Sequence, residues 1–148
     1  MSTAPTSALR FSTDRNALDR DAIHAFLRDE AYWSKGIPHD VVERAIDGSM
    51  CFGAYLDGRL VGFARLVTDY ATFAYLCDVF VIAECRGRGY GRALIDHVFE
   101  HETVRSLRRV MLVTSSAHDL YRPVGFKAPA HPERLMELHR PDVYASAG

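Results

Sequence analysis

The sequence predicts an α+β domain in which a mixed, mostly antiparallel sheet is flanked by helices. Three observations lead to this fold class. Residues 50–82 are rich in β-branched, aromatic and other apolar residues, which is typical of consecutive strands. Apolar residues at helical spacing lie before and after this block. A strand, a glycine-rich loop, a helix and another strand then follow over residues 73–114, which predicts one parallel crossover.

The composition limits the class of protein. A chain of 148 residues that is 48% hydrophobic fits one packed domain. The net charge of −1 provides no overall basic field for binding nucleic acid or a membrane surface. Three cysteines without CxxC spacing argue against a disulfide framework or a zinc site, so we expect no metal and a cytoplasmic location. We expect a flexible N-terminus (residues 1–7), one domain (residues 8–140) and a C-terminal tail (residues 141–148).

The first half of the chain predicts one short strand, two helices and three strands. Period-2 alternation favours a strand over residues 9–12, and Asp19 is placed to cap a helix over residues 19–30. A second helix over residues 40–47 ends at Gly48. Strands over residues 50–56 and 59–67 flank Asp57-Gly58, which is a strong hairpin signal, and a third strand covers residues 73–82.

The second half of the chain predicts two helices and three strands. An apolar stripe gives a helix over residues 93–102, and a buried type of strand covers residues 109–114. A short helix over residues 117–122 precedes Pro123. Two closing strands are predicted over residues 124–126 and 134–139.

The loop between the third strand of the hairpin block and the next helix carries Gly87, Gly89 and Gly91. Glycines permit close approach of the backbone to a ligand, and the start of a helix presents unpaired N–H groups. Together with the neighbouring arginines, these features predict a site for a phosphate or pyrophosphate. A Walker loop is disfavoured because Gly91 is followed by Arg92-Ala93, and a dinucleotide fingerprint is disfavoured because the spacing is GxGxG.

The segment Arg86-Gly87-Arg88-Gly89-Tyr90-Gly91, followed later by Leu120-Tyr121 and Gly125-Phe126, resembles the GCN5-related N-acetyltransferase (GNAT) superfamily. Arg86, Gly89 and Gly91 fill the Arg/Gln-x-x-Gly-x-Gly/Ala pattern of that family. The element order from residue 9 to residue 139 is similar to the GNAT acyl-CoA N-acyltransferase fold. The resemblance implies an enzyme that transfers an acetyl or other acyl group from acetyl-CoA to a primary amine in a ternary complex.

The resemblance also implies the residues that bind acetyl-CoA. Strand backbone is expected to pair with the pantetheine arm, and loop N–H groups to hold the pyrophosphate. Thr114 stands where many members carry an Asn, so its hydroxyl replaces only part of that amide's bonding. The expected contacts are Val79, Phe80, Val81, Arg86, Gly87, Arg88, Gly89, Tyr90, Gly91, Arg92 and Thr114.

Tyr121 is the expected catalytic acid, because a phenol stays protonated at neutral pH and is able to protonate the CoA thiolate. An N–H near Phe80 or Val81 is expected to stabilise the oxyanion. Asp78, which interrupts an apolar strand, is the candidate base, although an outward, solvated carboxylate is the simpler interpretation. The other candidates for the base are Asp69, Glu30, Glu84, His118 and a water chain. No acyl-cysteine intermediate is expected.

Tyr32, Trp33 and Asp69 are the expected substrate contacts. The acceptor is a small-molecule amine, a peptide N-terminus or a lysine, with no role for nucleic acid or a membrane. Many family members form dimers, so a homodimer stays open, although this sequence reveals no self-complementary surface. Two other functions also remain open: a non-catalytic acyl-CoA sensor, which needs no Tyr121, and a nucleotide-binding protein that uses the same loop.

Overall fold

The computed structural model describes residues 8–145, so the predicted flexible segment over residues 1–7 lies outside the described residues. Strands and helices alternate along this range, with short 3-10 turns between several of them. The elements are β1 (Arg10–Ser12), α1 (Arg20–Asp29), α2 (His39–Asp47), β2 (Met50–Leu56), β3 (Arg59–Thr68), β4 (Phe73–Val81), α3 (Tyr90–Glu100), α4 (Glu102–Ser106), β5 (Arg109–Leu112) and α5 (His118–Tyr121).

The strands form one sheet in the order β1-β2-β3-β4-β5. The pairs from β1 to β4 are antiparallel, whereas β4 and β5 are parallel. Because the chain passes through α3 and α4 between β4 and β5, this pair is the one crossover that the sequence predicts. The predicted α+β class with a mixed, mostly antiparallel sheet is confirmed.

Local sequence explains where the first elements begin and turn. The Asp19 side chain accepts a hydrogen bond from the Ala22 N–H at 3.1 Å, which caps the start of α1. The β2–β3 hairpin turns at Asp57 and Gly58, with φ values of 49° and 80°. Two consecutive positive φ values match a turn whose twist suits the hairpin, so the Asp-Gly prediction is confirmed.

Two apolar clusters cover the two faces of the sheet. On one face, Leu94, Ile95 and Val98 of α3 pack against strand residues such as Phe52 and Leu76. On the other face, α1 and α2 pack over Cys51, Leu60, Phe63 and Phe80. The first cluster packs α3 against β4, so the start of α3 is held next to the end of β4.

The closing strands predicted over residues 124–126 and 134–139 are wrong as elements of this sheet. Arg122–Val124 form a 3-10 turn that ends at Gly125, whose φ is 111°, and residues 135–140 form neither strand nor helix. A strand requires a hydrogen-bonding partner, and within the described residues β5 pairs only with β4. These segments have apolar residues typical of strands, but no strand within residues 8–145 pairs with them.

The C-terminal tail is partly anchored. Tyr144 packs against the cluster under α1 and α2, and its carbonyl oxygen lies 3.8 Å from where a side chain at Gly36 would begin. No helix in the described range is long and apolar enough to cross a bilayer.

Candidate active site

The start of α3 carries a cluster of unpaired backbone donors. Gly87 and Gly89 have φ values of 78° and 82°, a conformation that L side chains rarely adopt, and open space lies beside both. Gly89 precedes the first turn of α3, and no side chain caps this end. The N–H groups of Tyr90, Gly91 and Arg92 therefore have no acceptor within the helix. The positive end of the helix dipole lies at the same place, so the loop is suited to an anion.

Three arginines surround this loop, and each is held locally. Arg86 Nε donates to the Val81 carbonyl at 3.0 Å, and Arg88 donates to the Glu84 carbonyl at 3.3 Å. Arg92 Nε lies 3.1 Å from the Asp96 carboxylate. All three side chains are exposed and each guanidinium has further donors, so they add positive charge beside the unpaired N–H groups.

The edge of β4 opens just before this loop. β4 and β5 pair only as far as Leu76 and Leu112, so the last residues of β4 have no partner in β5. The Ile82 N–H donates to the Val61 carbonyl on the β3 side at 2.9 Å, and Phe80 is paired with Phe63. Backbone groups of alternate residues point to opposite sides of a strand. The N–H and C=O of Val81 therefore point away from β3, into the gap between β4 and the chain that follows β5.

The three strand residues expected to bind the donor thus differ in what they present. Val81 faces the gap, where its carbonyl now accepts from Arg86. Phe80 directs its backbone toward β3 and stacks its ring on Phe26 at 4.0 Å between centroids. Val79 lies in a bulge, because the register shifts between Phe63 and Arg65.

Asp78 lies in the same bulge, and its side chain is largely shielded from solvent. Its φ is 53°, and its side chain is only 11% exposed. One carboxylate oxygen accepts from Arg65 Nε at 2.9 Å, and the other accepts from Trp33 Nε1 at 2.9 Å. Arg65 also donates to Ser49 Oγ at 3.0 Å, so the buried pair is part of a connected network. The outward orientation that the sequence favoured is wrong.

The segment between α1 and α2 spans the mouth of the gap. Trp33 bonds to Asp78 on β4, whereas the Tyr32 hydroxyl lies 3.0 Å from Ser115 Oγ on the chain that follows β5. The two rings meet edge to face at 5.2 Å, and both are exposed. The structure therefore brings two of the three predicted substrate residues, Tyr32 and Trp33, to the place where β4 and β5 separate.

Tyr121 lies at the end of α5, on the β5 side of the fold, and is buried. Its ring packs edge to face against Phe126 at 5.9 Å. Burial raises the pKa of this phenol above its usual value of about 10, and no hydrogen-bond partner for its hydroxyl is found among residues 8–145. The hydroxyl therefore stays protonated at neutral pH, and no described residue accepts a hydrogen bond from it.

Two predicted site residues serve local turns. Thr114 Oγ1 accepts from the Ala117 N–H at 2.9 Å, which organises the turn before α5. Asp69 lies in the turn before β4, at the end of the strand remote from the bulge, and accepts from the N–H groups of Ala71, Thr72 and Phe73. The structure does not bring Asp69 to the gap.

Sequence reasoning missed Arg65, Ser49 and Ser115. Arg65 is the only charge inside an apolar run on β3, and Asp78 is the only charge inside the next run. Two opposite charges that interrupt neighbouring strands of a predicted hairpin are a signal for a buried pair. Within the described range, no group of three or more His, Cys, Asp or Glu side chains is arranged to hold a metal ion.

Comparison with known proteins agrees with this geometry. The sequence profile of the acetyltransferase (GNAT) family matches residues 20–126. A Gibberella zeae protein that bears the acetyltransferase name FG08082 is 35% identical over 137 residues, which cover 78% of this chain and 77% of that protein. A Xanthomonas campestris pv. campestris crystal structure assigned to the GNAT family has a TM-score of 0.91 and 49% identity, and covers 96% of this chain and 100% of that chain.

A more distant structure shares the fold alone. It is a Clostridium acetobutylicum protein crystallised with acetyl-CoA, with a TM-score of 0.65 and 16% identity over 90% of this chain and 96% of that chain. Together, the fold, the site and these similarities define an acyltransferase. The chain belongs to the acetyltransferase (GNAT) family, whose members generally transfer an acyl group from acetyl-CoA.

The hydrogen bonds to Asp69 predict a pH-dependent stability contribution that is unrelated to the site. The Thr72 hydroxyl and then the N–H groups of Thr72, Ala71 and Phe73 lower the pKa of this carboxyl well below its usual value. A depressed carboxyl pKa stabilises the fold above the usual value of about 3.9, and that contribution is lost as the pH falls toward the folded-state pKa.

We therefore expect Asp69→Asn to lower the melting temperature at neutral pH by a few degrees, and the difference from the parent to shrink on acidification. Thermal melts over a pH series measure this. The KM for the acceptor should stay unchanged, and a large rise in that KM would instead place Asp69 in the acceptor site.

Proposed function

We propose that this protein is an N-acetyltransferase that moves the acetyl group of acetyl-CoA to a primary amine by direct attack in a ternary complex. The observation that carries the proposal is the continuity of two binding features. The open edge of β4 at Val81 leads directly into the unpaired N–H groups at the start of α3. A ligand with an amide-bearing arm and a pyrophosphate requires both features in this order.

The residues present fit acetyl-CoA. Space beside Gly87 and Gly89 allows a diphosphate to approach the backbone, and the Tyr90, Gly91 and Arg92 N–H groups are donors for it. Val81 offers backbone groups to the pantetheine arm in the manner of strand addition, once Arg86 releases its carbonyl. Acetyl-CoA bound to the distant Clostridium acetobutylicum relative supports the same donor here.

In the proposed reaction, the acceptor nitrogen attacks the thioester carbon, and the carbon–sulfur bond breaks. Tyr121 donates its phenolic proton to the departing thiolate, and the proton that the neutral amine loses passes through water to the Tyr121 phenolate, which restores the phenol. The raised pKa keeps Tyr121 in the protonated form that this step needs. Holding donor and acceptor together across the gap lowers the barrier by ordering the two reactants.

Buried thiols support direct transfer without an acyl-enzyme intermediate. Burial raises the pKa of Cys51 to about 11 and that of Cys77 to about 12, so both stay protonated at neutral pH. Cys51 and Cys85 are buried, Cys77 is half-buried, and all three thiols are free. Because a thiolate is the reactive form of cysteine, neither Cys51 nor Cys77 is suited to accept the acetyl group.

We assign Asp78 a positioning role in place of the proton-accepting role that the sequence suggested. Both of its oxygens already accept hydrogen bonds, from Arg65 and from Trp33. The pair instead holds the β4 bulge and links it to the segment that carries Tyr32 and Trp33, which we propose as acceptor contacts.

A CoA-release assay over a panel of small amines and of peptides with free N-termini or lysines tests the function. We expect turnover with at least one class and intersecting double-reciprocal lines, as a ternary complex requires. Binding of acetyl-CoA without turnover on any member would favour the non-catalytic sensor, and parallel lines would indicate an acyl-enzyme intermediate.

Removal of the Tyr121 hydroxyl should affect chemistry and leave binding intact. We expect Tyr121→Phe to lower kcat by about tenfold or more, the effect of losing a general acid, with little change in the Kd for acetyl-CoA. Steady-state kinetics and calorimetry measure the two quantities. Parental turnover in this variant would remove Tyr121 from the mechanism.

Two glycine variants distinguish the effect of a strained backbone conformation on acetyl-CoA binding from the effect of an added side chain. Gly89→Ala places a methyl group at a φ of 82°, which costs about 1–2 kcal/mol, so we expect the affinity for acetyl-CoA to fall about tenfold. Gly91→Ala is the matched control, because its added carbon lies 3.8 Å from Val81 Cγ2 in ordinary contact. Calorimetric titration of both variants measures this, and equal affinities would contradict the proposed loop geometry.

Asp78→Asn distinguishes a positioning residue from a base. Asn tolerates the positive φ, keeps an acceptor for Trp33 and loses the charge that pairs with Arg65. We expect a lower melting temperature, a fall in kcat of less than about tenfold and an unchanged pH profile. A larger fall in kcat, together with disappearance of the decline in kcat at low pH, would establish Asp78 as the base.

A further inference from the structure

The sheet face under α1 and α2 is only partly covered. The two helices pack over Phe63 and Phe80 on this face. Further along the same strands, Val67 of β3 is 43% exposed, and Phe73 and Tyr75 of β4 are 39% and 37% exposed. The helices therefore leave an apolar part of the sheet open to solvent.

Val67, Phe73, Tyr75 and Met111 form one continuous surface, the open strip. Val67 of β3 pairs with Tyr75 of β4, and Phe73 lies two residues before Tyr75. Met111 of β5, which is half-buried, is the partner of Tyr75 on the other side. Paired residues, and residues two apart on one strand, point to the same face of a sheet. Adjoining exposed apolar side chains of this kind mark ligand-binding grooves and interaction surfaces.

The open strip leads directly to the gap where β4 and β5 separate. Tyr75 is followed by Leu76, the last residue of β4 that pairs with β5, and Asp78 comes two residues later. At about 3.3 Å per residue, Tyr75 lies about 10 Å from the bulge at Asp78, and Phe73 lies about 16 Å from it. Trp33, which donates to Asp78, is exposed at the same end. An acceptor nitrogen at the gap thus places the group attached to it on an apolar surface.

We propose that the acceptor is a small primary amine with an aliphatic or aromatic body, which lies on the open strip while the nitrogen reaches the gap. The proposal rests on the proposed function and narrows its amine to one class. Burying an apolar body there removes exposed carbon surface of the protein and of the ligand from water at once. An amine without apolar surface would gain nothing from the open strip.

Acidic side chains beside the open strip suit a cationic acceptor. Burial, and then Cys77, Asp78 and Glu137, raise the pKa of the Tyr75 phenol, so these groups lie close enough to act on it. Asp78 is already paired with Arg65, whereas Glu137 makes no ion pair with any described residue. An unpaired carboxylate attracts an ammonium from solvent to this surface. The ammonium releases one proton to water there, and the neutral nitrogen then attacks the thioester.

The far end of the open strip limits the size and charge of the acceptor. Arg109 of β5 is the partner of Phe73, so the two side chains share one face at the end remote from the gap. Arg109 is exposed and makes no ion pair in the part of the chain that the structure describes. A lysine-rich peptide that followed the strip would bring a second positive charge toward this guanidinium, which disfavours it. The surface therefore suits a small amine that ends before Phe73.

Two sets of matched amines test the proposal. In a CoA-release assay, we expect kcat/KM to rise from propylamine to octylamine by about threefold for each added methylene that the open strip buries. Aminoethoxyethanol is hexylamine with two of its carbons replaced by oxygen, so it matches that amine in length and charge. We expect its kcat/KM to be lower than that of hexylamine by about tenfold or more, since it has less apolar surface to bury.

Two variants locate the apolar contact. Tyr75→Ser and Val67→Ser each remove apolar surface from a side chain that is already partly exposed, so circular dichroism should show both to remain folded. We expect each to lower the ratio of kcat/KM for octylamine to that for propylamine by about threefold or more. Val143→Ser, at an exposed apolar position outside the open strip, is the control and should keep the parental ratio.

Fluorescence of Trp33, the single tryptophan of the chain, tests binding without turnover. Its indole is exposed at the gap end of the open strip, so an apolar ligand there should shift its emission to shorter wavelength. We expect octylamine to bind with a Kd about tenfold or more below that of propylamine. The Tyr75→Ser variant should lose most of this difference.

The outcomes distinguish this proposal from the proposed function. Turnover that is independent of chain length, or faster with a lysine-rich peptide than with octylamine, would overturn the open strip as the acceptor surface and leave the acetyltransferase function intact. Binding of octylamine at Trp33 without turnover of any amine would support the open strip and contradict the function. Equal affinities for octylamine and propylamine would overturn the proposal in either case.

Discussion

The separation of β4 from β5 is the constraint on which the site depends. The two strands pair over four residues and then diverge, immediately before the bulge at Asp78. The Arg65–Asp78 pair holds that bulge from within the sheet, and Trp33 holds it from the segment above. Removing one partner of this largely buried pair would leave an uncompensated charge, so loss of either side chain should destabilise the bulge.

Packing places the other half of the site relative to this opening. Leu94, Ile95 and Val98 bury one face of α3 against the sheet, which fixes the start of the helix next to the end of β4. The donors at the start of α3 are therefore positioned by the core and not by a mobile loop. A rigid cradle beside an open strand edge is the kind of preorganised site that avoids the entropic cost of ordering a loop on binding.

Sequence alone predicted those parts of the fold and site that depend on local chemistry. The hairpin at Asp57-Gly58, the cap at Asp19 and the glycine loop each follow from residue types whose preferences act over a few positions. The family resemblance then supplied the role proposed for Tyr121. The pairing of Arg65 with Asp78 was not predicted, because it depends on the register between two strands and on the bulge that shifts it.

The two predicted closing strands, which the structure does not contain, show what an apolar pattern alone cannot predict. Their apolar pattern predicts a strand, but the pattern carries no information about which sheet edge that strand would join. Asp69 shows a similar limit, because a carboxylate near a predicted cleft is indistinguishable in sequence from one that organises a turn.

The most direct test of the donor site is an amide chemical-shift titration with two ligands. CoA should shift the backbone N–H signals of Gly87–Arg92 and of Val81. Pantetheine, which lacks the pyrophosphate, should shift Val81 and leave the loop signals in place. If CoA shifts signals elsewhere in the protein and leaves those of residues 87–92 unmoved, the account of this site is wrong.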